Sequence, residues 1–200
     1  MSGLWVFVCG PSGAGKDSVM DWAAEHLIVR PDIVFARRMV TRPSRPGSDH
    51  DPVTPQQFAR MLGSGALVWC WQAHGFHYGI GAHYAAEVAA GRVVVVNGSR
   101  EHAGGLNAAE QVRVVQIMAD ARQLAARMTQ RGRDAPQEVT RRLARNVQLP
   151  NLRADHTIVN EGKLADAGRQ LADYLVAEVM SSESGHSPGI ARRIEADPIL

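Results

Sequence analysis

One stretch near the N-terminus leaves few folds open: Gly10-Pro11-Ser12-Gly13-Ala14-Gly15-Lys16-Asp17-Ser18. It follows the apolar run Leu4-Trp5-Val6-Phe7-Val8-Cys9 and precedes a helical spacing of apolar residues at Val19, Met20, Trp22, Ala23 and Leu27. Strand, glycine loop and helix, in that order, is the context in which such a loop binds phosphate. The glycines let backbone N–H groups curl inward around an anion, and the helix N-terminus adds partial positive charge at the same place. Lys16 then stands where a point charge reaches the outer phosphates of a nucleoside triphosphate. A glycine turn that merely capped a helix would not call for that lysine. The position after it usually holds Ser or Thr, whose hydroxyl binds Mg²⁺; here it is Asp17, with Ser18 following. A carboxylate is also a hard oxygen ligand, so Asp17 and Ser18 are the expected metal ligands, and residues 10–18 the expected nucleotide-binding residues.

Downstream, strands alternate with helices. Residues 33–40 read as a second strand, 43–52 as a loop rich in Pro and Gly, and Thr54 as the cap of a short helix through Gln57, Phe58 and Met61. Residues 66–72 form a strand, turned by Ala73-His74-Gly75-Phe76 into a return strand with His77, Tyr78 and Gly79. A helix over 83–90 leads to Arg92-Val93-Val94-Val95-Val96-Asn97, the clearest buried parallel strand. Gly98-Ser99-Arg100 follow at its carboxyl end, where ligands sit in open α/β sheets. Another helix, a strand over 112–118, helices over 121–130 and 136–148, a strand over 156–160 and a helix over 164–180 complete the pattern. The class is α/β, a mostly parallel sheet flanked by helices. From Ser181 onward Ser, Gly and Pro accumulate, and that tail is expected to be disordered.

Composition narrows the partners. Two hundred residues, 45% of them hydrophobic, suit one domain with a proper core. A net charge of +2 gives no reason to expect nucleic acid or an anionic membrane as partner. Cys9 and Cys70 are the only cysteines, no leader or membrane-long apolar run is visible, and the chain reads as cytoplasmic. Positive charge is carried almost wholly by Arg, since Lys16 and Lys163 are the only lysines. Seven arginines fall between Arg122 and Arg145, and Arg127, Arg131 and Arg133 gather at the turn of the helical hairpin, placed to close over a nucleotide. Arg37, Arg38 and Arg42 surround the end of the second strand; a strand's pleat should send Arg37 and Arg38 to opposite sides. His74, His77 and His83 lack a carboxylate or cysteine at ligand spacing, so no transition-metal site is expected there. Trp69 and Trp71 share a strand face and read as core.

Taken together, these segments resemble the guanylate kinase family. The phosphate loop, Thr41-Arg42-Pro43 with Arg45-Pro46-Gly47, Tyr78-Gly79, Arg131-Gly132-Arg133 with Arg142-Leu143, and Asp155-His156-Thr157-Ile158-Val159-Asn160 stand in that family's order across about residues 3 to 178. The acceptor side departs from it. Gly47-Ser48 stands where guanylate kinases have Gly-Glu, Trp71-Gln72 where they have a Glu before the Tyr-Gly turn, and Asn97-Gly98-Ser99-Arg100 in place of an acidic motif. Those replacements, with Gly15-Lys16-Asp17-Ser18 and the turn from Trp71 to Gly79, resemble the ribose 1,5-bisphosphate phosphokinase branch of bacterial phosphonate breakdown. The resemblance implies a P-loop kinase fold of guanylate kinase type with a helical lid at about 122–145, an acceptor region at about 37–83, and a kinase domain ending near residue 180. It implies ATP with Mg²⁺ as phosphoryl donor and ribose 1,5-bisphosphate as acceptor, the product being 5-phospho-α-D-ribose 1-diphosphate. Lys16, Arg131 and Arg133 are then the expected catalytic residues, and Arg38, Arg42, Tyr78, Asn97, Ser99 and Arg100 the expected acceptor-binding ones. A nucleoside monophosphate kinase and a non-catalytic binding module of the same fold are the alternatives, and a homodimer stays open.

Overall fold

A computed structural model describes residues 3–44, 49–106, 111–130 and 152–183. Strand β1 (Leu4–Cys9) is buried along its whole length and alternates faces. Leu4, Val6 and Val8 point into one hydrophobic cluster, and Trp5, Phe7 and Cys9 into another on the opposite side. That double burial follows from a continuous apolar run in a strand of period two. The loop after β1 leads into α1 (Lys16–His26), and β2 (Ile33–Ala36) follows.

Here the chain departs from expectation. The stretch 33–40 is two strands, not one: β2 ends at Ala36, and β3 (Arg38–Val40) belongs to a second sheet. Residues 50–52, expected as loop, form β4 (His50–Pro52), which pairs parallel with β3 and ends on Pro52 at the sheet edge, where a missing N–H is tolerated. Helix α2 (Pro55–Gly63) begins with the expected Thr54 cap: Thr54 Oγ1 accepts from Gln57 N at 3.1 Å and Gln57 Oε1 accepts from Thr54 N at 2.7 Å. Strands β5 (Leu67–Ala73) and β6 (Phe76–Gly81) close a hairpin over His74-Gly75, both at positive φ (52° and 76°), the two-residue turn that matches strand twist. The second sheet runs β4-β3-β6-β5.

Helix α3 (His83–Ala89) returns the chain to the first sheet at β7 (Val93–Asn97). Helix α4 (Arg100–Gly104), β8 (Val112–Met118), α5 (Ala121–Gln130), β9 (His156–Val159) and α6 (Leu164–Glu183) follow. The first sheet is parallel throughout, in the order β2-β7-β1-β8-β9. The chain switches sides at β1, so the loop after β1 lies at the point where such sheets bind ligands. Helices α1 and α6 pack together over one face, where Gly168 admits the Trp22 ring. Helix α6 runs to Glu183, past the residue-180 boundary expected from composition: Ser181 and Ser182 return hydroxyl hydrogen bonds to Ala177 O and Glu178 O at 2.9 Å. The expected helix over 136–148, the hairpin turn, Arg45-Pro46-Gly47-Ser48 and the rest of the tail lie outside the described residues.

Candidate active site

The loop has the backbone that its glycines allow. Gly10, Gly13 and Gly15 stand at φ 153°, 88° and 83°, a curl closed to residues with a Cβ. A Cβ on Gly15 would come within 2.6 Å of Asn160 Nδ2. Asn160 is buried just past β9 and donates from Nδ2 to Ala14 O at 2.8 Å, so a residue 146 positions away pins the loop. Arg127 of α5 donates from Nη2 to Asn160 O at 2.9 Å, while its Nη1 is buried with no partner among the described residues. A buried guanidinium N–H left unpaired carries its desolvation penalty, about 1–3 kcal/mol or more for a charged group; beside this loop, a phosphate oxygen would relieve it.

Lys16 folds back across the loop and donates from Nζ to Gly10 O at 3.2 Å. Burial lowers its ammonium below the ordinary lysine range; Asp17 and Cys9 oppose that shift, and the charges of Arg38 and Arg100 add to it. An ammonium held at such a cost in the ligand-free protein is stabilised by any anion that enters the loop. Cys9, beneath the loop, is pushed up to about 12 by burial, and stays a neutral thiol.

A second cluster faces the loop from the other sheet. Arg38 donates from Nη1 to Asn97 O at 3.3 Å and from Nη2 to Asp49 Oδ2, and its Nε is buried without a partner among the described residues. Asn97, 4% exposed at the end of β7, donates from Nδ2 to Asp17 Oδ1 at 2.7 Å and to Asp49 Oδ2 at 3.0 Å. One amide therefore ties the first turn of α1 to the second sheet. Arg37 points away and pairs with Asp51 at the surface at 2.8 Å, as alternation required. Tyr78 is buried, stacked on Trp71 with centroids 5.6 Å apart, and carries the Arg38 guanidinium at 5.8 Å over its ring. Arg42 lies over Phe76 at 5.9 Å, two residues further along the same pleat. Ser99 precedes α4 without a capping bond from its side chain, and Arg100 opens that helix close enough to act on Lys16 electrostatically.

The structure thus gathers Lys16, Asp17, Arg38 and Asn97 by direct contact or charge, with Arg100 beside them and Tyr78 behind Arg38. Arg42 is held on Phe76 and its carbonyl oxygen lies 3.3 Å from His50 Nε2; among the described residues its side chain makes no contact with this cluster. Arg131 and Arg133 lie outside the described residues. Ser18 is half-buried in α1, without a described contact to the cluster. Trp69 and Trp71, expected as core, are only half-buried: Trp69 meets Trp5 and Phe7 edge-on, whereas Trp71 also stacks on His102 at 5.0 Å. Burial lowers the His102 pKa, and its Nε2 has no partner among the described residues. Asp49, Asn160 and His102 were not among the expected site residues; Asp49, an acid beside an arginine-rich loop, and Asn160, the end of the motif that begins at Asp155, left a trace in the sequence.

The residues fit a magnesium nucleotide. The curled amides, Lys16 and the unpaired Arg127 Nη1 suit phosphate oxygens. No group of three or more His, Cys, Asp or Glu gathers among the described residues, but Mg²⁺ in kinases uses one or two carboxylates plus the phosphates themselves. Asp17, at the start of α1, supplies such a carboxylate.

Fold and loop define a P-loop protein of guanylate kinase type. The structure superposes on a guanylate kinase from Anaplasma phagocytophilum with a TM-score of 0.68 over 90% of this chain and 87% of that one, at 20% identity. No protein-family model matches the chain. Curated relatives are nearer in sequence. The ribose 1,5-bisphosphate phosphokinase PhnN of Burkholderia mallei is 43% identical over 173 residues, 85% of this chain and 94% of the relative. Those of Agrobacterium fabrum and Pseudofrankia inefficax are 40% and 44% identical, over 89% and 84% of this chain and 99% and 88% of theirs. The chain belongs to the ribose 1,5-bisphosphate phosphokinase PhnN family.

Proposed function

We propose that this protein transfers the γ-phosphoryl group of ATP to the 1-phosphate of ribose 1,5-bisphosphate, giving 5-phospho-α-D-ribose 1-diphosphate and ADP. The observation that carries it is the Asn97 bridge, which sets an acceptor cluster built on Arg38 against the phosphate loop in a chain whose relatives bear that activity in their names. An oxygen of the 1-phosphate forms a bond to the γ-phosphorus as the bond to the β,γ-bridging oxygen breaks, and the electron pair leaves with ADP. The attacking phosphate is already ionised at neutral pH, so no general base is needed and catalysis reduces to positioning and charge.

Lys16 and the loop amides hold the β- and γ-phosphates, and Arg127 Nη1 donates to the same oxygens. Asp17, with Ser18 next to it, would hold Mg²⁺ arriving with ATP, and the ion would supply positive charge to the phosphates. Arg38, through its unpaired Nε, and Arg100 grip acceptor phosphates, with Tyr78 supporting Arg38 from behind. Arg42 and Ser99 belong to the same acceptor wall. Arg131 and Arg133 spread transition-state charge from the lid. The protein works in the cytoplasm on small molecules; among the described residues no helix is long and apolar enough to cross a membrane.

Product chemistry tests this. With ATP, Mg²⁺ and ribose 1,5-bisphosphate, phosphorus NMR should show a new diphosphate on C1 and an unchanged 5-phosphate signal. A diphosphate on C5, or ATP hydrolysis alone, would refute the assignment.

A further inference from the structure

A ribose bisphosphate brings two kinds of group to its site: phosphates, which need donors, and the C2 and C3 hydroxyls, whose protons need acceptors. Arginines, a lysine and backbone amides satisfy the first and leave the second unpaired. Carboxylates in an anion site, which repel phosphates, therefore call for their own explanation. Asp17 sits on the nucleotide side, at the start of α1. Asp49 sits on the acceptor side, paired with Arg38.

We infer that Asp49 and Asn97 together read the vicinal hydroxyls of the sugar, and so set acceptor specificity in the function proposed above, on which this inference rests. Asn97 is 4% exposed and its amide has one orientation only, because Nδ2 faces two carboxylates, those of Asp17 and Asp49, at 2.7 and 3.0 Å. Its Oδ1 is consequently turned away from both, buried and without a partner among the described residues. Leaving such an acceptor unsatisfied costs about 1–3 kcal/mol; a hydroxyl donor on the substrate removes that cost. Asp49 Oδ2 already receives Arg38 and Asn97, while Oδ1 lies 3.8 Å from His50 Nδ1, too far for a hydrogen bond. One acceptor oxygen on each of two adjacent side chains suits two hydroxyls on adjacent carbons. A guanine edge instead asks one carboxylate for both of its oxygens, and here one of those is taken.

The experiment compares kcat/KM for ribose 1,5-bisphosphate with its 2-deoxy and 3-deoxy analogues in the full chain. The wild-type protein should prefer the ribose form over each analogue by at least about fiftyfold, because a site built to pair a hydroxyl discriminates strongly against its absence. In Asp49→Asn and Asn97→Ala that preference should fall at least tenfold, with melting curves reporting whether each variant is folded. Wild-type turnover of both deoxy analogues within about threefold of the ribose form, a comparison that needs no variant, would overturn the inference. So would folded variants that slow all three substrates equally, the mark of a purely structural bridge. Failure of the wild-type protein to phosphorylate any of the three while it phosphorylates GMP would instead overturn the proposed function, and the inference with it.

Discussion

Asn97 and Asp21 show what single residues carry here. Asn97 uses both amide hydrogens on carboxylates from different parts of the chain, so its side chain couples the nucleotide loop to the acceptor sheet. Asp21, one turn along α1 from Asp17, bears the cost of gathering acids around a phosphate site. Burial, and then the charges of Asp17, Asp49 and Glu25, hold its carboxyl above the usual carboxylate range. A raised acid is ionised less readily folded than unfolded, so folding stability falls as pH rises through that range and the full penalty stands at neutral pH. Asp21→Asn should therefore raise the melting temperature of the ligand-free protein at pH 7, though only slightly, because Asp21 is exposed and solvent screens its acidic neighbours. The gain should fade as pH falls through the carboxylate range and be gone by about pH 3, below the ordinary aspartate value. A gain that persisted at low pH would place the effect in packing rather than charge. Lys16 carries the same trade from the other sign: the ligand-free fold holds its ammonium at a cost that an entering phosphate repays.

At the scale of elements, the α1–α6 pair makes the sharpest claim. A Cβ at Gly168 would lie well inside van der Waals distance of the Trp22 ring, which is itself stacked on His26 at 3.5 Å. The ring has nowhere cheap to go, so Gly168→Ala should lower the urea-unfolding free energy by about 1–3 kcal/mol, the usual cost of overpacking. An unchanged midpoint would mean the helices part freely. Most elements of the first sheet were legible because their periodicity is local: β1, β7 and β8 are apolar runs, and Thr54 announces α2 three residues ahead of Gln57. The split between β2 and β3 was not. Residues 33–40 form one unbroken run by propensity, and only the pairing of β3 with β4 and β6 draws it into another sheet. The phosphate loop could be read from spacing alone and Arg127 from the arginine cluster, whereas Asn160 holds the loop through Ala14 O from a distant strand end that no local pattern connects to it. Alternation sent Arg37 and Arg38 to opposite sides without saying which would face the site, and it could not say that Arg38 would meet Asp49.

Across the whole molecule, two sheets of different construction meet at one cleft. The parallel sheet presents phosphate-binding backbone at the carboxyl ends of its strands, and the mixed sheet presents Arg38, Asp49 and an aromatic stack. The fold is shared with guanylate kinases, and fold alone does not choose an acceptor. On the proposed function, the wall opposite the loop separates the two chemistries. Asp49 is the described carboxylate there, and it is already bonded to Arg38 and Asn97; no second acid stands with it among the described residues of that wall. The most direct measurement is kcat/KM with ATP and Mg²⁺ for ribose 1,5-bisphosphate against GMP, in the same preparation. The ribose bisphosphate should be favoured by at least about a hundredfold, a difference of about 2.7 kcal/mol in transition-state binding. Comparable rates on GMP would contradict the account and make this chain a guanylate kinase in activity as well as in fold.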